Sequence, residues 1–320
     1  MTPSLEVIAP GLHTTVQDAG RPGYRDVGVP ESGPLDRVSF HFANVLAGNA
    51  PGAPALEILV QGPTLKVAAD AVRIACVGGE AQIEIRDDDR RRIAAGRSVR
   101  LVRDDVFRIG TLGESVCAYL AIEGGVAVPP VLGSASTYVR GSLGGLNGRR
   151  LQRGDHVPLA RGSVEAGAER LLAHPLDFGL DEPIHVMLGP QADYFTEEAI
   201  ATFLSSEYTV SAQSDRMGFR LDGPAVPHAG GYDLVSDGIV LGGIQVPGSG
   251  RPIVLMADHQ TTGGYPKIAT VVSADIPVIG RRRPGRTLRF IAVDAREAAR
   301  LRKKQESGIE RASTAIRLIA

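Results

Sequence analysis

Residues 236–270 read SDGIVLGGIQVPGSGRPIVLMADHQTTGGYPKIAT and form the most informative stretch of the chain. Two apolar runs, 239–246 and 253–257, flank a Pro-Gly-Ser-Gly turn at 247–250. Apolar runs of this length joined by a short turn containing glycine are typical of a β-hairpin. The stretch therefore predicts two paired strands, and a polar segment that begins directly after them at Asp258.

Short apolar runs of the same kind recur along the chain, separated by Gly, Pro or Asp. Those outside the hairpin are 5–9, 56–60, 72–77, 82–86, 99–102, 116–122, 184–188, 208–211 and 287–293. Helices are predicted at 34–47, from Thr196 and from Asp294, with a short helix or frayed end after Gly308. A doubly wound α/β fold would need a helix of about 10–15 residues after each strand. The pattern therefore predicts a mainly β protein with a few helices, built as barrels or sandwiches.

The stretch 150–183 is rich in Gly, Pro and charged residues and has no periodic apolar pattern. Such composition between patterned segments is typical of a boundary. We therefore predict an N-terminal β-rich subdomain at 1–165, a C-terminal one at 183–308 and a C-terminal tail at 309–320.

Composition narrows the possible functions. The net charge of −1 over 320 residues creates no field that favours nucleic acid or anionic lipid. No apolar stretch approaches the roughly 18–20 residues that span a bilayer, and the N-terminus does not resemble a signal peptide. Neither a nucleotide fingerprint, nor zinc-spaced Cys and His residues, nor a segment that could carry biotin is present. We expect a cytoplasmic protein without a metal, a membrane anchor or a nucleic-acid partner.

The segment 258–267, DHQTTGGYPK, concentrates polar side chains and glycine directly after a strand that should be buried. Because an unpaired buried polar group costs about 1–3 kcal/mol, these groups must bond either to each other or to a polar ligand. Asp258 is a candidate proton acceptor, and Lys267 is the only lysine between positions 66 and 303. The backbone N–H groups at Gly263 and Gly264 could face a carbonyl or carboxylate. Both alternatives, a closed corner and a site for an amide, remain open at this point.

Two further clusters carry candidate site residues. The loop 14–36 contains Gln17, Asp18 and Arg21, which either contact a substrate or partner or form a turn held by an Asp18–Arg21 salt bridge. The turn 214–218 contains Arg216, which could bind a carboxylate through two parallel hydrogen bonds or pair with an internal aspartate.

Several long runs resemble the biotin-dependent carboxyltransferase and allophanate hydrolase subunit 2 family. They are TTVQDAGRPGYRDVGVPESGPLD, ALEILVQGPTL, AIEGGV, LGSAST, SDRMGFRL and GGIQVPGSGRPIVLMADHQTTGGYPKIATVVSADIP. The resemblance implies two β-barrel-like subdomains, of which the second is cyclophilin-like. It also implies site residues on its most characteristic stretch and at a few outlying positions. The catalytic candidates are Asp258 and Lys267, and the substrate-binding candidates are Gln260, Thr261, Thr262, Gly263, Gly264, Tyr265, Gln245, Arg216, Gln17, Asp18 and Arg21.

The family contains the C-type subunit of bacterial 5-oxoprolinase, the carboxyltransferase segment of urea carboxylase and an antagonist of a sporulation-kinase inhibitor. The chain lacks the biotin carboxylase and carrier segments of the urea enzyme, which favours the 5-oxoprolinase role. That role implies a partner of the subunit-1 kind, the B-type component of 5-oxoprolinase, with the A-type component as a further partner. It also implies a small amide substrate, and ATP used by the complex rather than bound here. The alternatives are carboxyl transfer from carboxybiotin to a urea-like amide, and a non-catalytic regulator.

Overall fold

A computed structural model describes residues 2–86 and 91–319 of the chain, and its secondary structure contains more strand than helix. The strands, β1 to β23 in chain order, are Ser4–Ala9, His13–Gln17, Ala55–Leu59, Thr64–Ala68, Ala71–Val77, Ile83–Ile85, Arg92–Ile93, Ser98–Val102, Val106–Ile109, Cys117–Ile122, His156–Pro158, Glu169–Leu171, Ile184–Leu188, Tyr208–Val210, Gly218–Asp222, Asp237–Gly238, Gly243–Gln245, Ile253–Leu255, Thr262–Gly263, Lys267–Val271, Thr287–Leu288, Phe290–Ala292 and Arg317–Ile319. Within the described residues the α-helices, α1 to α4, are Arg37–Ala47, Glu197–Ser205, Ile276–Gly280 and Ala295–Thr314. The prediction of a mainly β protein with a few helices is confirmed.

The chain packs as two compact units. The first unit comprises Met1–Arg21, Ser32–Asp177 and Ile309–Ala320, and the second comprises Pro22–Glu31 and Phe178–Gly308. The sequence places 22–31 in the first subdomain and sets 309–320 apart as a tail. In the structure the last strand, β23, pairs antiparallel with β12. Neither segment contains a local pattern that indicates its distant partner. A division of the sequence into consecutive subdomains therefore could not predict this pairing.

The first unit contains two antiparallel sheets around one apolar core. One sheet has the strand order β11-β1-β4-β9-β6-β7, and the other has β2-β3-β10-β5-β8. Apolar side chains from both sheets, among them Leu5, Ile74 and Phe107, are fully buried in this core. Every residue of β5 and β10 is buried. Helix α1 packs against both strands, which explains why these two lack the alternation of a half-exposed strand.

Helix α1 begins at Arg37 because Asp36 caps it. The Asp36 carboxylate accepts hydrogen bonds from the backbone N–H groups of Val38 (2.9 Å) and Ser39 (3.1 Å). These donors have no partner inside the helix, so a side-chain acceptor at this position stabilises the helix start. Gly48, at φ 89°, ends the helix in the left-handed conformation that glycine adopts without strain.

The second unit is built on an eight-stranded sheet with the order β21-β14-β15-β18-β17-β20-β13-β22. Its two edge strands, β21 and β22, are separated in the chain by Arg289 alone, so the sheet curls into a nearly closed barrel. Inside this unit Phe203 of α2 stacks on Phe290 with ring centroids 4.6 Å apart. Thr196 caps α2 by accepting a hydrogen bond from the Ala199 N–H (3.1 Å), as the sequence predicted.

The hairpin predicted from residues 239–257 is present but shorter. Strands β17 and β18 pair antiparallel, with Gln245 opposite Ile253. Residues 239–242 do not continue β17; instead the Ile239 N–H donates to the Thr261 carbonyl (3.2 Å). The segment before the hairpin is therefore joined to the polar segment after it. No helix among residues 2–86 and 91–319 is long and apolar enough to cross a bilayer.

Candidate functional site

The polar segment that follows β18 is held against the start of β15. The Met256 N–H donates to the Met217 carbonyl (2.9 Å), and the Asp258 N–H donates to the Arg216 carbonyl (2.8 Å). This ladder continues the pairing between β15 and β18 by two further residues. It brings Arg216 beside Asp258, although 42 positions separate them in the chain.

Arg216 and Asp258 form a buried ion pair with two parallel hydrogen bonds. Nε of Arg216 donates to Oδ2 of Asp258 (2.8 Å), and Nη2 donates to Oδ1 (3.0 Å). Each residue is only 4% exposed. The planar guanidinium matches the carboxylate in this geometry, so the pair is both strong and directional. Of the two alternatives for Arg216, the structure contains the internal pair with an aspartate.

Lys267 and Gln245 face each other across the hydrogen-bonded strands β20 and β17. Residues opposite each other in an antiparallel pair project their side chains from the same face of the sheet. Ile244 lies opposite Ala269, so Ile268 has no partner and the ladder contains a β-bulge next to Lys267. Bulges redirect a neighbouring side chain and are common beside functional sites.

The donor pair, Lys267 Nζ and Gln245 Nε2, has no hydrogen-bond acceptor. Both atoms are buried, and neither donates a hydrogen bond to any group in the described part of the chain. Lys267 Nζ lies 3.5 Å from Oδ2 of Asp237, which is an ion-pair distance without hydrogen-bond geometry. Since most buried donors in proteins are paired, two orphaned donors on one face indicate that an acceptor is missing. An oxygen atom of a bound water molecule or of a ligand would supply it.

The candidate residues 260–265 form a more exposed loop beside the donor pair. Gln260, Thr261, Gly263 and Gly264 are half-buried, and Thr262 and Tyr265 are exposed. Strand β19 within this loop pairs antiparallel with β16. A Cβ atom at position 263 would collide with Gln245 Nε2, so glycine allows the loop backbone to lie directly against this donor. The loop therefore approaches the donor pair with its backbone.

His259, which the resemblance left out, is 5% exposed. Its Nδ1 donates to the Gln260 carbonyl (2.5 Å). Burial lowers the pKa of this imidazole, because removing the ring from water disfavours its charged form, and the charge of Arg25 adds to that effect. The ring is therefore neutral at pH 7, and it holds the backbone of the loop start in place.

Gln17, Asp18 and Arg21 belong to the first unit, where they bind the segment 131–137. The Asp18 carboxylate accepts hydrogen bonds from the hydroxyls of Ser134 (2.5 Å) and Ser136 (2.6 Å) and from the Ala135 N–H (2.6 Å). Arg21 donates to the carbonyls of Val131 and Ser136, and Gln17 donates to the Thr137 carbonyl (3.1 Å). These contacts order a Gly- and Ser-rich loop, and a role in substrate binding stays a prediction.

Two residues that contact Lys267 were not found from the sequence. Asp237 lies in a Ser-Asp-Gly sequence that is typical of a turn, and Gln191 lies three residues after the end of β13. The Gln191 side-chain carbonyl accepts a hydrogen bond from the Lys267 backbone N–H (3.2 Å). Only the packing of the barrel brings these segments together, so no local pattern could have identified them. Residues 2–86 and 91–319 contain no group of three or more His, Cys, Asp or Glu side chains placed to hold a metal ion.

The chain is similar to known proteins along most of its length. A sequence model of the family described as carboxyltransferase domain, subdomain A and B, matches residues 27–292. The protein of Escherichia coli (strain K12) named as the C-type subunit of 5-oxoprolinase is 36% identical over 315 residues, which cover 96% of each protein. The protein of the same name from Haemophilus influenzae (strain Rd) is 34% identical over 308 residues, covering 94% of this chain and 95% of that protein.

A solved structure supports the same relationship. The crystal structure of Kluyveromyces lactis urea carboxylase matches this fold with a TM-score of 0.87 and 33% sequence identity. The match covers 98% of this chain but 29% of the larger one. The chain is thus similar to nearly the whole of two proteins named as subunits, and to a segment of a larger carboxylase.

Proposed function

This chain belongs to the carboxyltransferase domain family of subdomains A and B, and from that premise we propose that it acts as the C-type subunit of an ATP-dependent 5-oxoprolinase. In this role it opens the lactam ring of 5-oxoproline to glutamate together with partner subunits. The two relatives named as 5-oxoprolinase subunits support the choice, because each matches this chain over nearly its whole length. The urea carboxylase matches only as part of a longer protein.

The observation that carries the proposal is the orphaned donor pair. A lactam carbonyl oxygen accepts two hydrogen bonds, and Lys267 Nζ and Gln245 Nε2 are two buried donors that share one face of the sheet. When a nucleophile attacks the carbonyl carbon, negative charge grows on this oxygen. Donors already oriented in a site shielded from water stabilise that charge without reorganisation. The ammonium of Lys267 adds a full positive charge.

Asp258 has a supporting role in this scheme. Both of its carboxylate oxygens accept hydrogen bonds from Arg216, so the pair anchors the start of the loop 260–265. The further expectation that Asp258 accepts or relays a proton stays a prediction. We assign ATP binding to the A-type and B-type partners. We further propose that the amide ligand is contacted by Gln260, Thr261, Thr262, Gly264 and Tyr265.

Carboxyl transfer is the second candidate. It is favoured by the family match and by the likeness to urea carboxylase. The same donor pair would suit the carbonyl oxygen of urea or the carboxylate of carboxybiotin, since both are oxygen acceptors. This candidate requires a separate biotin carboxylase, and its activity would be blocked by avidin.

Reconstitution tests the proposal. The A-type and B-type partners from the same organism are purified and assayed for glutamate release from 5-oxoproline and ATP, with and without this chain. We expect release only when this chain is present. Equal release in its absence would refute the proposal, and avidin-sensitive consumption of bicarbonate with urea would favour carboxyl transfer.

A further inference from the structure

The donor pair lies beneath a small β-flap, defined here as β16 and β19 with their flanking residues, 234–239 and 261–264. Asp237 pairs with Gly263, and Gly238 pairs with Thr262. The Leu234 N–H donates to the Gly264 carbonyl (2.8 Å), and the Ile239 N–H donates to the Thr261 carbonyl (3.2 Å). The two arms of the flap are therefore tied to each other along their length.

The flap closes off the donor pair. Lys267 is 3% exposed and Gln245 is 2% exposed, and their terminal nitrogen atoms are inaccessible to solvent. Gly263 of the flap lies directly against Gln245 Nε2, and Asp237 of the flap lies 3.5 Å from Lys267 Nζ. A ligand oxygen can reach either donor only if the flap moves.

The flap is poorly anchored by apolar packing. Its side chains at Val235 and Asp237 are 93% and 62% exposed, respectively. Ile239, at 1% exposure, is buried at the point where the flap joins the barrel. Segments with few buried apolar contacts open at low free-energy cost, while a buried residue at their base serves as a fixed end.

Asp237 differs from an ordinary ion-pair partner. Lys66 and Asp104 of the first unit form a close pair at 2.7 Å with the lysine side chain 36% exposed. Lys267 is almost fully buried, yet its carboxylate partner stays at 3.5 Å and makes no hydrogen bond with it. The Asp237 carboxylate thus compensates the buried charge only partly, so a better placed oxygen can replace it.

We propose that Asp237 is a built-in competitor of the substrate, carried on a flap that must lift before Lys267 and Gln245 can bind a ligand. The ligand is a small molecule that presents an amide or carboxylate oxygen, and its oxygen displaces Oδ2 of Asp237 from Lys267. This inference rests on the proposed function for the identity of the substrate. It makes Asp237 a residue that sets substrate affinity, while the charge-stabilising donors remain Lys267 and Gln245.

Lysine labelling tests the closed flap without substrate or partners. The chain has four lysines, at 66, 267, 303 and 304, so each can be followed separately by peptide mass spectrometry after acetylation with an N-hydroxysuccinimide ester. Lys66 is the matched control because it also pairs with an aspartate but is accessible. We expect Lys267 to react at least about tenfold more slowly than Lys66, since only the open state exposes it. Equal rates would overturn the closed flap.

Kinetics of Asp237→Asn test the competition. The substitution keeps the shape of the side chain and removes its charge, so we expect the KM for 5-oxoproline in the reconstituted complex to fall roughly two- to fivefold, with kcat unchanged. Asp233→Asn, an exposed aspartate shortly before the flap, is the matched control and should leave KM at the wild-type value. Acetylation of Lys267 should also become faster in Asp237→Asn than in Asp233→Asn.

The two tests separate this inference from the proposed function. A KM that is unchanged or raised in Asp237→Asn would overturn the competitor role, even if the complex opens 5-oxoproline. Slow labelling of Lys267 that becomes faster in Asp237→Asn would support the flap even if the complex has no lactamase activity, and 5-oxoproline would then be replaced by another amide. The labelling therefore tests the flap without requiring lactamase activity.

Discussion

Lys267→Met is expected to lower the turnover of 5-oxoproline by the reconstituted complex by at least about tenfold, because the variant lacks the charged donor that stabilises the developing oxyanion. Methionine has a similar length and no charge, so it fills the buried position without leaving a cavity. The orphaned ammonium costs free energy in the folded chain, and its removal should leave stability equal or higher. The measurement is kcat for glutamate release at saturating ATP, with partner binding checked by gel filtration.

Lys303→Met is the matched control for this prediction. Lys303 lies exposed on α4, and the same substitution there should leave kcat at the wild-type value. Lys267→Arg should not restore full activity, because a guanidinium is larger and cannot act as a compact point charge. If Lys267→Met turns over as fast as the control, Lys267 does not stabilise the transition state.

Asp258→Ala is expected to destabilise the chain by about 3–5 kcal/mol, which is typical when one partner of a buried ion pair is removed. The substitution takes away the carboxylate that binds both Nε and Nη2 of Arg216 and leaves the guanidinium in a site that is shielded from water. Urea unfolding followed by circular dichroism measures the change, since the chain has no tryptophan.

A second ion pair of the same unit provides the control. Arg251 and Asp222 are 2.9 Å apart, with side chains 64% and 49% exposed, so Asp222→Ala should cost only about 0–1 kcal/mol. The double variant Arg216→Met with Asp258→Leu should be more stable than Asp258→Ala, because it removes both buried charges together. Equal destabilisation by Asp258→Ala and Asp222→Ala would mean that the buried ion pair contributes no more to the free energy of unfolding than the exposed one.

The sequence predicted the fold class well because strand and cap signals are local. The apolar run 184–188 coincides with β13, and Thr196 caps α2 as its hydroxyl and the acids after it indicate. The run 239–246 was overextended, since only 243–245 pair in β17. Residues 238 and 239 suit either an extension of β17 or an arm of the flap, and only their pairing with 261 and 262 decides between the two.

The strand pairing joins four of the candidate residues as two separate pairs, Arg216 with Asp258 and Gln245 with Lys267. Gln245 lies opposite Ile253, the first residue of β18, whereas Asp258 follows the last residue, so the two pairs lie at opposite ends of that strand. Their role in binding a substrate stays a prediction. The bulge beside Lys267 and the approach of Asp237 depend on the register of strands that are distant in the chain. Local spacing carries no information about such a register, so neither feature could be predicted from the sequence.

We propose that Lys267 Nζ and Gln245 Nε2 together bind the oxygen of a small amide. A crystal structure of the reconstituted complex with 5-oxoproline tests it most directly. We predict one ligand oxygen within about 3 Å of both nitrogen atoms, with the flap lifted and Asp237 displaced from Lys267. A ligand bound elsewhere, with both donors still sealed beneath the flap, would contradict the account.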